Sequence, residues 1–343
     1  MTELAALGAG RRRGGGAAPV HPVYPLDWPS TIPYPAPIAA PYNAPTYAIT
    51  PTADYTGSVV HPGVYDFGYG NHWRGYRYWM AVSGYWLENN RQENPHVLAS
   101  NDGFNWEPPL GLVNPIIPAP PAPQFNSDPD IEYDPATDRL VVINRTRLPD
   151  GTQQTFITTS AEGVLWTTPV ALDWTRYGPT ADGQHVSPSI VRRGSGDWWM
   201  FSIGRSDLHF YYHRAVNPLG TWTGPVDIGP MGIAGQYPWH LDVVWHGGKF
   251  RALLDLGPFY ESRPEGYRAG TWDGTSAAGF TWAASNFMDL AATGWDTKEL
   301  YRAAFCPAED GEHYRVWYSA HSLDPAISWR TGLTLVPQSL WPT

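Results

Sequence analysis

Lysine is nearly missing from this chain: of 22 basic residues only Lys249 and Lys298 are lysine, and the rest are arginine. Charge of every kind is scarce at 16%, and the balance is acidic, with a formal net charge of −10. A surface of that sign excludes a phosphate-backbone partner, which needs basic residues to release counterions. Cysteine occurs once, as Cys306 in AAFCP, so no internal disulfide framework is available and a small buried side chain is its expected role. No run approaches the roughly 20 apolar residues of a membrane span. Arg11, Arg12 and Arg13 lead into GGG rather than into the apolar stretch of a signal peptide, so the expectation is a chain made and folded in a cytoplasm without membrane insertion. Long amphipathic helical stretches are absent too, and there is no P-loop, no HExxH and no Ser-His-Asp order.

What is abundant points one way. The 343 residues include 18 Trp, 20 Tyr, 35 Gly and 35 Pro, and 42% are apolar. Short aromatic-rich segments cut by turn residues make an all-β chain with a sizeable core. Residues 14 to 53 hold ten prolines and one charged side chain, Asp27. Such a segment runs as an extended, polyproline-like arm, and its Tyr24, Trp28, Tyr34, Tyr42 and Tyr47 suit it to lie along another surface, of its own domain or of another subunit. The chain therefore divides into a Gly/Arg tail with a proline-rich arm over 1–53 and one larger domain over 54–343.

That larger domain repeats. SNDGFNW, SAEGVLW, NPLGTWTGP and TSAAGFTW each set a Gly turn before a tryptophan, at Trp106, Trp166, Trp222 and Trp282, so the intervals are 60, 56 and 60 residues. Each of these tryptophans reads as a blade-to-blade packing residue. A strand-like run precedes each phrase (RYWMAVSG, RLVVINR, DWWMFSIG, KFRALLDLG), with YRVWYSAH as a fifth. Another short strand precedes each of those: HPGVYDF, DPDIEYD, SPSIVRR, HLDVVWH and YRAAFCP. Five units of this length, each with about four short strands, describe a five-bladed β-propeller. The last unit runs short of chain, and PTYAIT on the N-terminal side is the strand available to complete it.

The first strand of each propeller blade lines the central channel, and side chains at i and i+2 share a face. Aligning the five stacks His61 with Gly63, Asp128 with Asp130, Ser187 with Ser189, His240 with Asp242, and Arg302 with Ala304. Three carboxylates and two imidazoles then surround one axis, which marks a site. Asp128, Asp130 and Asp242 would suit Ca²⁺, and His61 with His240 a transition metal, but strand spacing alone does not specify ligands, and no cofactor is assigned.

Blade-leading Asp-Pro strands on five blades resemble the clan of arabinanases, arabinofuranosidases, xylosidases and invertase-type fructosidases. The stretch from HPGVYDFGYGNHW to ENPHVLASNDGFNWEPP is also similar to the propeller module of bacterial and prophage proteins and of minor tail proteins of phages that infect actinobacteria. The clan resemblance implies three carboxylates from the first three blades, with the reacting pair about 5 to 5.5 Å apart for retention or 6.5 to 9.5 Å for inversion. Asp128 matches the second-blade orienting aspartate. His61 stands where the first-blade aspartate belongs, and Ser187 and Ser189 where the third-blade glutamate belongs.

The candidate catalytic carboxyls are accordingly Asp128, Asp242, Asp130 and Glu93, with Glu299 a further loop acid near the channel mouth. Candidate substrate-binding residues are His61, Ser187, His240, Arg302 and Trp239. The resemblance implies a virion tail-tip protein, anchored with other tail proteins and further copies of itself through the N-terminal arm, whose propeller binds a host cell-wall glycan. The alternatives are an active glycoside hydrolase on a furanoside-rich polysaccharide such as arabinan, or a structural subunit with a vestigial channel.

Overall fold

The structure is a computed structural model that describes residues 40–48, 50–172, 185–258, 265–324 and 328–343. The Gly/Arg tail and most of the proline-rich arm, up to residue 39, lie outside the described residues. The rest is a five-bladed β-propeller with almost no helix. Blade one contains β1 (Val59–Asp66), β2 (Tyr78–Gly84) and β3 (Pro95–Ser100). Blade two contains β4 (Phe125–Asp134), β5 (Arg139–Arg147), β6 (Gln153–Ser160) and β7 (Val170–Ala171). In blade three these are β8 (His185–Gly194), β9 (Asp197–Gly204), β10 (His209–Ala215) and β11 (Thr223–Pro230). Blade four runs β12 (Tyr237–His246), β13 (Lys249–Gly257), β14 (Gly266–Trp272), then the short β15 (Thr281–Trp282) and β16 (Met288–Asp289), both paired with β14. Blade five has β17 (Glu299–Pro307), β18 (His313–His321) and β19 (Arg330–Pro337). All pairings are antiparallel, and β1, β4, β8, β12 and β17 meet around the axis in a closed ring.

The chain end closes the circle. Tyr47 bridges Gly332 on β19, Ala48 N–H donates to the Thr331 carbonyl at 2.7 Å, and Ala44 and Ala48 are buried. Tyr47 and Ala48 of PTYAIT thus lie along the outer edge of blade five, where the sequence is one strand short.

Five apolar clusters hold the blades together, one at each interface. Trp79, Trp198, Trp199 and Trp317 are fully buried in them, and each large side chain so removed from water contributes roughly 1.5–3 kcal/mol. The tryptophans of the repeating Gly turns face these clusters: Trp106 and Trp222 are members, while Trp166 and Trp282 pack against them half-buried. At Gly163, with φ +74°, a Cβ would lie 2.2 Å from the Trp79 ring, so the turn needs glycine for both its angle and its close approach.

The inner strands share a bulge. Register slips by one residue between Val60 and Gly63, Ser127 and Asp130, Val186 and Ser189, Pro238 and Leu241, and Leu300 and Ala303. In the first three blades the bulged residue before proline is left-handed: His61 at φ 58°, Asp128 at 49° and Ser187 at 53°. Non-glycine residues accept this angle only at a cost, and bulges of this kind re-aim side chains beside functional sites.

Candidate functional site

At the end of the channel formed by the N-terminal halves of the inner strands, three blades bring His61, Asp128 and His240 together. One ligand-capable atom from each lies within 4.8 Å of the others, and all three side chains are buried. His61 Nε2 is 3.2 Å from Asp128 Oδ1, and His240 Nδ1 is 3.9 Å from the same oxygen. The two imidazole rings stand edge to face with centroids 4.7 Å apart. None of their four ring nitrogens has a hydrogen-bond partner among the described residues. Buried polar atoms are ordinarily satisfied, so two imidazoles without hydrogen bonds, each with one nitrogen toward the same carboxylate oxygen, are a constellation that wants a ligand.

The neighbours of Asp128 fix which oxygen is free to act. Oδ2 accepts from Arg145 Nε at 2.6 Å and from the Ser187 amide at 3.0 Å, which leaves Oδ1 toward the histidines, with the Ser127 hydroxyl at 3.0 Å. Burial alone would raise the Asp128 carboxyl, but the charge and hydrogen bond of Arg145 hold it well below the usual carboxylate range. Burial pushes His61 down to about 3 and His240 well below the ordinary imidazole value, against the pull of Asp128. Both imidazoles are therefore neutral, with a lone pair to offer. Asp255, buried, accepts the backbone N–H of His240 and sets the position of its main chain.

Glu93 joins the cluster from the loop after β2. Its carboxylate accepts from the Ser127 hydroxyl and stands 3.8 Å from His61 Nδ1. Burial, reinforced by the nearby Asp128 charge, pushes Glu93 up to about 8. Two carboxyls linked through one serine are thus driven apart, one ionised and one poised near neutrality, the pattern by which acid–base roles are assigned. Over both histidines lies Tyr301, its ring centroid 5.0 Å from His61 and 4.3 Å from His240. Its hydroxyl accepts from Trp239 Nε1 at 3.2 Å, and burial keeps it protonated by raising it well above the ordinary phenol value.

The other residues singled out in the sequence lie deeper. Asp130 accepts the Ile190 amide at 2.8 Å, Ser189 the Val243 amide at 3.0 Å and Asp242 the Phe305 amide at 3.1 Å. Ser187 Oγ likewise accepts the Leu241 amide at 2.9 Å. Each is a latch in which a channel-facing side chain of one blade satisfies an inner-edge N–H of the next. Arg302, fully buried, crosses the channel to donate to the Pro188 carbonyl at 3.0 Å and lies 3.5 Å from Asp130. Glu299 is buried at the start of β17, where it pairs with His321 on β18. Beyond Asp130 and Asp242 the far half of the channel opens into a cavity of about 240 Å³, remote from the histidines.

Arg145, Tyr301 and Asp255 escaped the sequence reading. The signal for Arg145 was its place on the strand after DPDIEYD: it pairs with Ser127, next to Asp128. Tyr301 stands beside Arg302, at the first position of the fifth inner-strand bulge.

No family model matches the chain. An A type blood N-acetyl-α-D-galactosamine deacetylase of Flavonifractor plautii is 28% identical over 318 aligned residues, covering 78% of this chain and 40% of that protein. The chain thus spans less than half the length of that curated relative. The crystal structure of an N-acetylgalactosamine deacetylase from F. plautii in complex with blood group B trisaccharide has a TM-score of 0.69 at 21% identity, over 87% of this chain and 95% of that one. An exo-β-1,3-galactanase of Phanerochaete chrysosporium with galactose gives 0.54 at 15% identity, over 86% of this chain and 64% of that one. A GH43_1 enzyme of Xanthomonas citri gives 0.55 at 13%, over 82% and 88%. The chain is a five-bladed β-propeller with glycosidase-like architecture, whose structural neighbours include family 43 glycoside hydrolases and a sugar deacetylase.

Proposed function

We propose that this propeller is a metal-dependent hydrolase that removes the acetyl group from an N-acetylated sugar of a glycan. The observation that carries this reading is the pair of buried histidines with four unpartnered ring nitrogens flanking the ionised Asp128. Two imidazoles and a carboxylate suit a divalent transition ion such as zinc, and the set leaves positions open for substrate. His61, Asp128 and His240 would hold such an ion, which when bound supplies Lewis acidity to an acyl carbonyl. Support for the substrate class comes from the similarity to the F. plautii deacetylase.

The chain's own groups divide the remaining work. Arg145 and the Ser187 amide lock Asp128 so that Oδ1 faces the histidines. Glu93, poised near 8, takes a proton from the attacking water as its oxygen bonds to the acyl carbon, and returns it to the amine when the C–N bond breaks. Acetate and the free amino sugar result. The Tyr301 hydroxyl, kept protonated, is placed to donate to the acyl oxygen as negative charge builds there. Glycosidic cleavage fits less well, because Asp130 and Asp242 are engaged with backbone amides and His61 holds the first-blade position.

A second reading rests on the proline-rich first 53 residues: a phage tail-tip subunit that binds host cell-wall glycan during adsorption, in which the channel holds the sugar without cutting it. One experiment separates them. Protein stripped with a chelator is titrated with Zn²⁺ by calorimetry, then incubated with blood group A trisaccharide and assayed for acetate. The first reading expects zinc-dependent acetate release, with Asp128→Asn weakening zinc binding about 100-fold or more. Zinc affinity unchanged in that variant defeats the metal site; glycan binding without acetate release leaves the second reading.

A further inference from the structure

Two consecutive residues at the mouth, Leu87 and Glu88, hold left-handed backbone angles (φ 56° and 54°), although neither is glycine. They sit in the short 3-10 turn Trp86–Glu88, on the loop that runs from β2 to Glu93. Strain of this kind persists only where the surroundings impose it, and it concentrates at ligand-binding segments. Here the surroundings are explicit. The Glu88 carboxylate lies 3.3 Å from Lys298 Nζ and 3.4 Å from His321 Nδ1, both on blade five. Arg91 donates to the Gln124 carbonyl before β4, and the Asn94 amide donates to the Arg91 carbonyl at 3.0 Å. The loop is pinned to the blades on either side of its own, and the side chain that this geometry thrusts outward is Leu87, 75% exposed.

A file of rings joins this loop to the metal-ligand cluster. Tyr85 lies 5.9 Å from Trp329, Trp329 lies 5.2 Å from Tyr301, and Tyr301 covers both histidines. An aliphatic side chain in water, beside two half-buried aromatic residues and a polar trio, matches a pyranose: one apolar C–H face with hydroxyls around the rim. We propose that Tyr85, Trp86 and Leu87 form a subsite for the sugar unit next to the reacting one, with Glu88, Lys298 and His321 meeting its hydroxyls. This rests on the glycan-hydrolase reading above and names what lies beyond the reacting residue.

Leu87→Gly tests it, because glycine keeps the left-handed angle while deleting the side chain; Leu87→Asn, also tolerant of that angle, is the second variant. Binding of blood group A trisaccharide and of free N-acetylgalactosamine is measured by calorimetry with zinc-loaded protein, alongside the melting temperature. Both variants are expected to melt within roughly 3 °C of the wild type. Their trisaccharide affinity is expected to fall about five- to tenfold with monosaccharide affinity unchanged. Unchanged trisaccharide affinity, or equal loss for both sugars, overturns the subsite. Absence of acetate release from a wild type that still binds the trisaccharide removes only the deacetylase reading. A wild type that binds neither of these sugars nor any glycan on a printed array overturns both.

Discussion

Glu93 and Asp128 share Ser127 as a hydrogen-bond partner, yet their protonation is driven in opposite directions. The difference is one guanidinium: Arg145 pairs with Asp128, while burial dominates Glu93. Because Glu93 rises from 4.5 unfolded to about 8 folded, its contribution to stability is complete below pH 4.5 and is lost as pH climbs through 8. Urea unfolding between pH 5 and 9 should show the wild type losing on the order of a few kcal/mol that Glu93→Gln does not lose. Parallel curves would show that Glu93 is not a raised, buried carboxyl. At this scale the i, i+2 polar pairs were legible, since a strand's period of two needs no tertiary information. The partners that sort those pairs into cluster and latch were not, because Arg145 and the Ser187 amide arrive from another strand and another blade.

Among elements, the inner strands carry the argument. Their bulges turn His61, Asp128 and His240 toward one end of the axis, while Asp130, Ser189 and Asp242 point sideways into the next blade's amides. Blade one lacks such a latch for a steric reason. A Cβ on Gly63 would meet Asp130 Oδ1 at 2.3 Å and Asp130 Cα at 2.9 Å, so the first two inner strands approach more closely than any side chain permits. Gly63→Ala should therefore cost about 2 kcal/mol or more, read as a lower urea midpoint, and should weaken binding at the proposed zinc site by parting His61 from Asp128. A variant as stable as the wild type would show that the close approach is relieved by small shifts. The recurring Gly-turn tryptophans were readable as packing residues, because their interval matched a blade. The bulges were not: a bulge inserts a single residue and leaves no change in composition.

For the whole molecule, ring closure joins chain segments 251 to 274 positions apart. Trp295 Nε1 donates to the Ala44 carbonyl at 2.9 Å, the Ala44 amide donates to Tyr318 at 2.7 Å, and Asn43 Nδ2 reaches Asp296 at 2.7 Å. Removing residues 1–49 strips blade five of this edge and uncovers Trp295, which is 4% exposed in the closed ring. The truncated protein should lose roughly 3 kcal/mol in guanidinium unfolding and self-associate through the bared β19 edge on gel filtration. A truncation of residues 1–39 alone is the control, and equal loss in both would assign the effect elsewhere.

Composition and a 56-to-60-residue rhythm were enough to specify strands, turns, blade number and a polar axis, because those properties are periodic and local. Tertiary packing alone decided that two histidines on blades one and four meet across the axis at one aspartate, their ring nitrogens without hydrogen bonds, while the neighbouring carboxyls fasten the ring. Side chains 112 residues apart in sequence, Asp128 and His240, become neighbours only when the ring of blades is formed, and no local pattern encodes that distance.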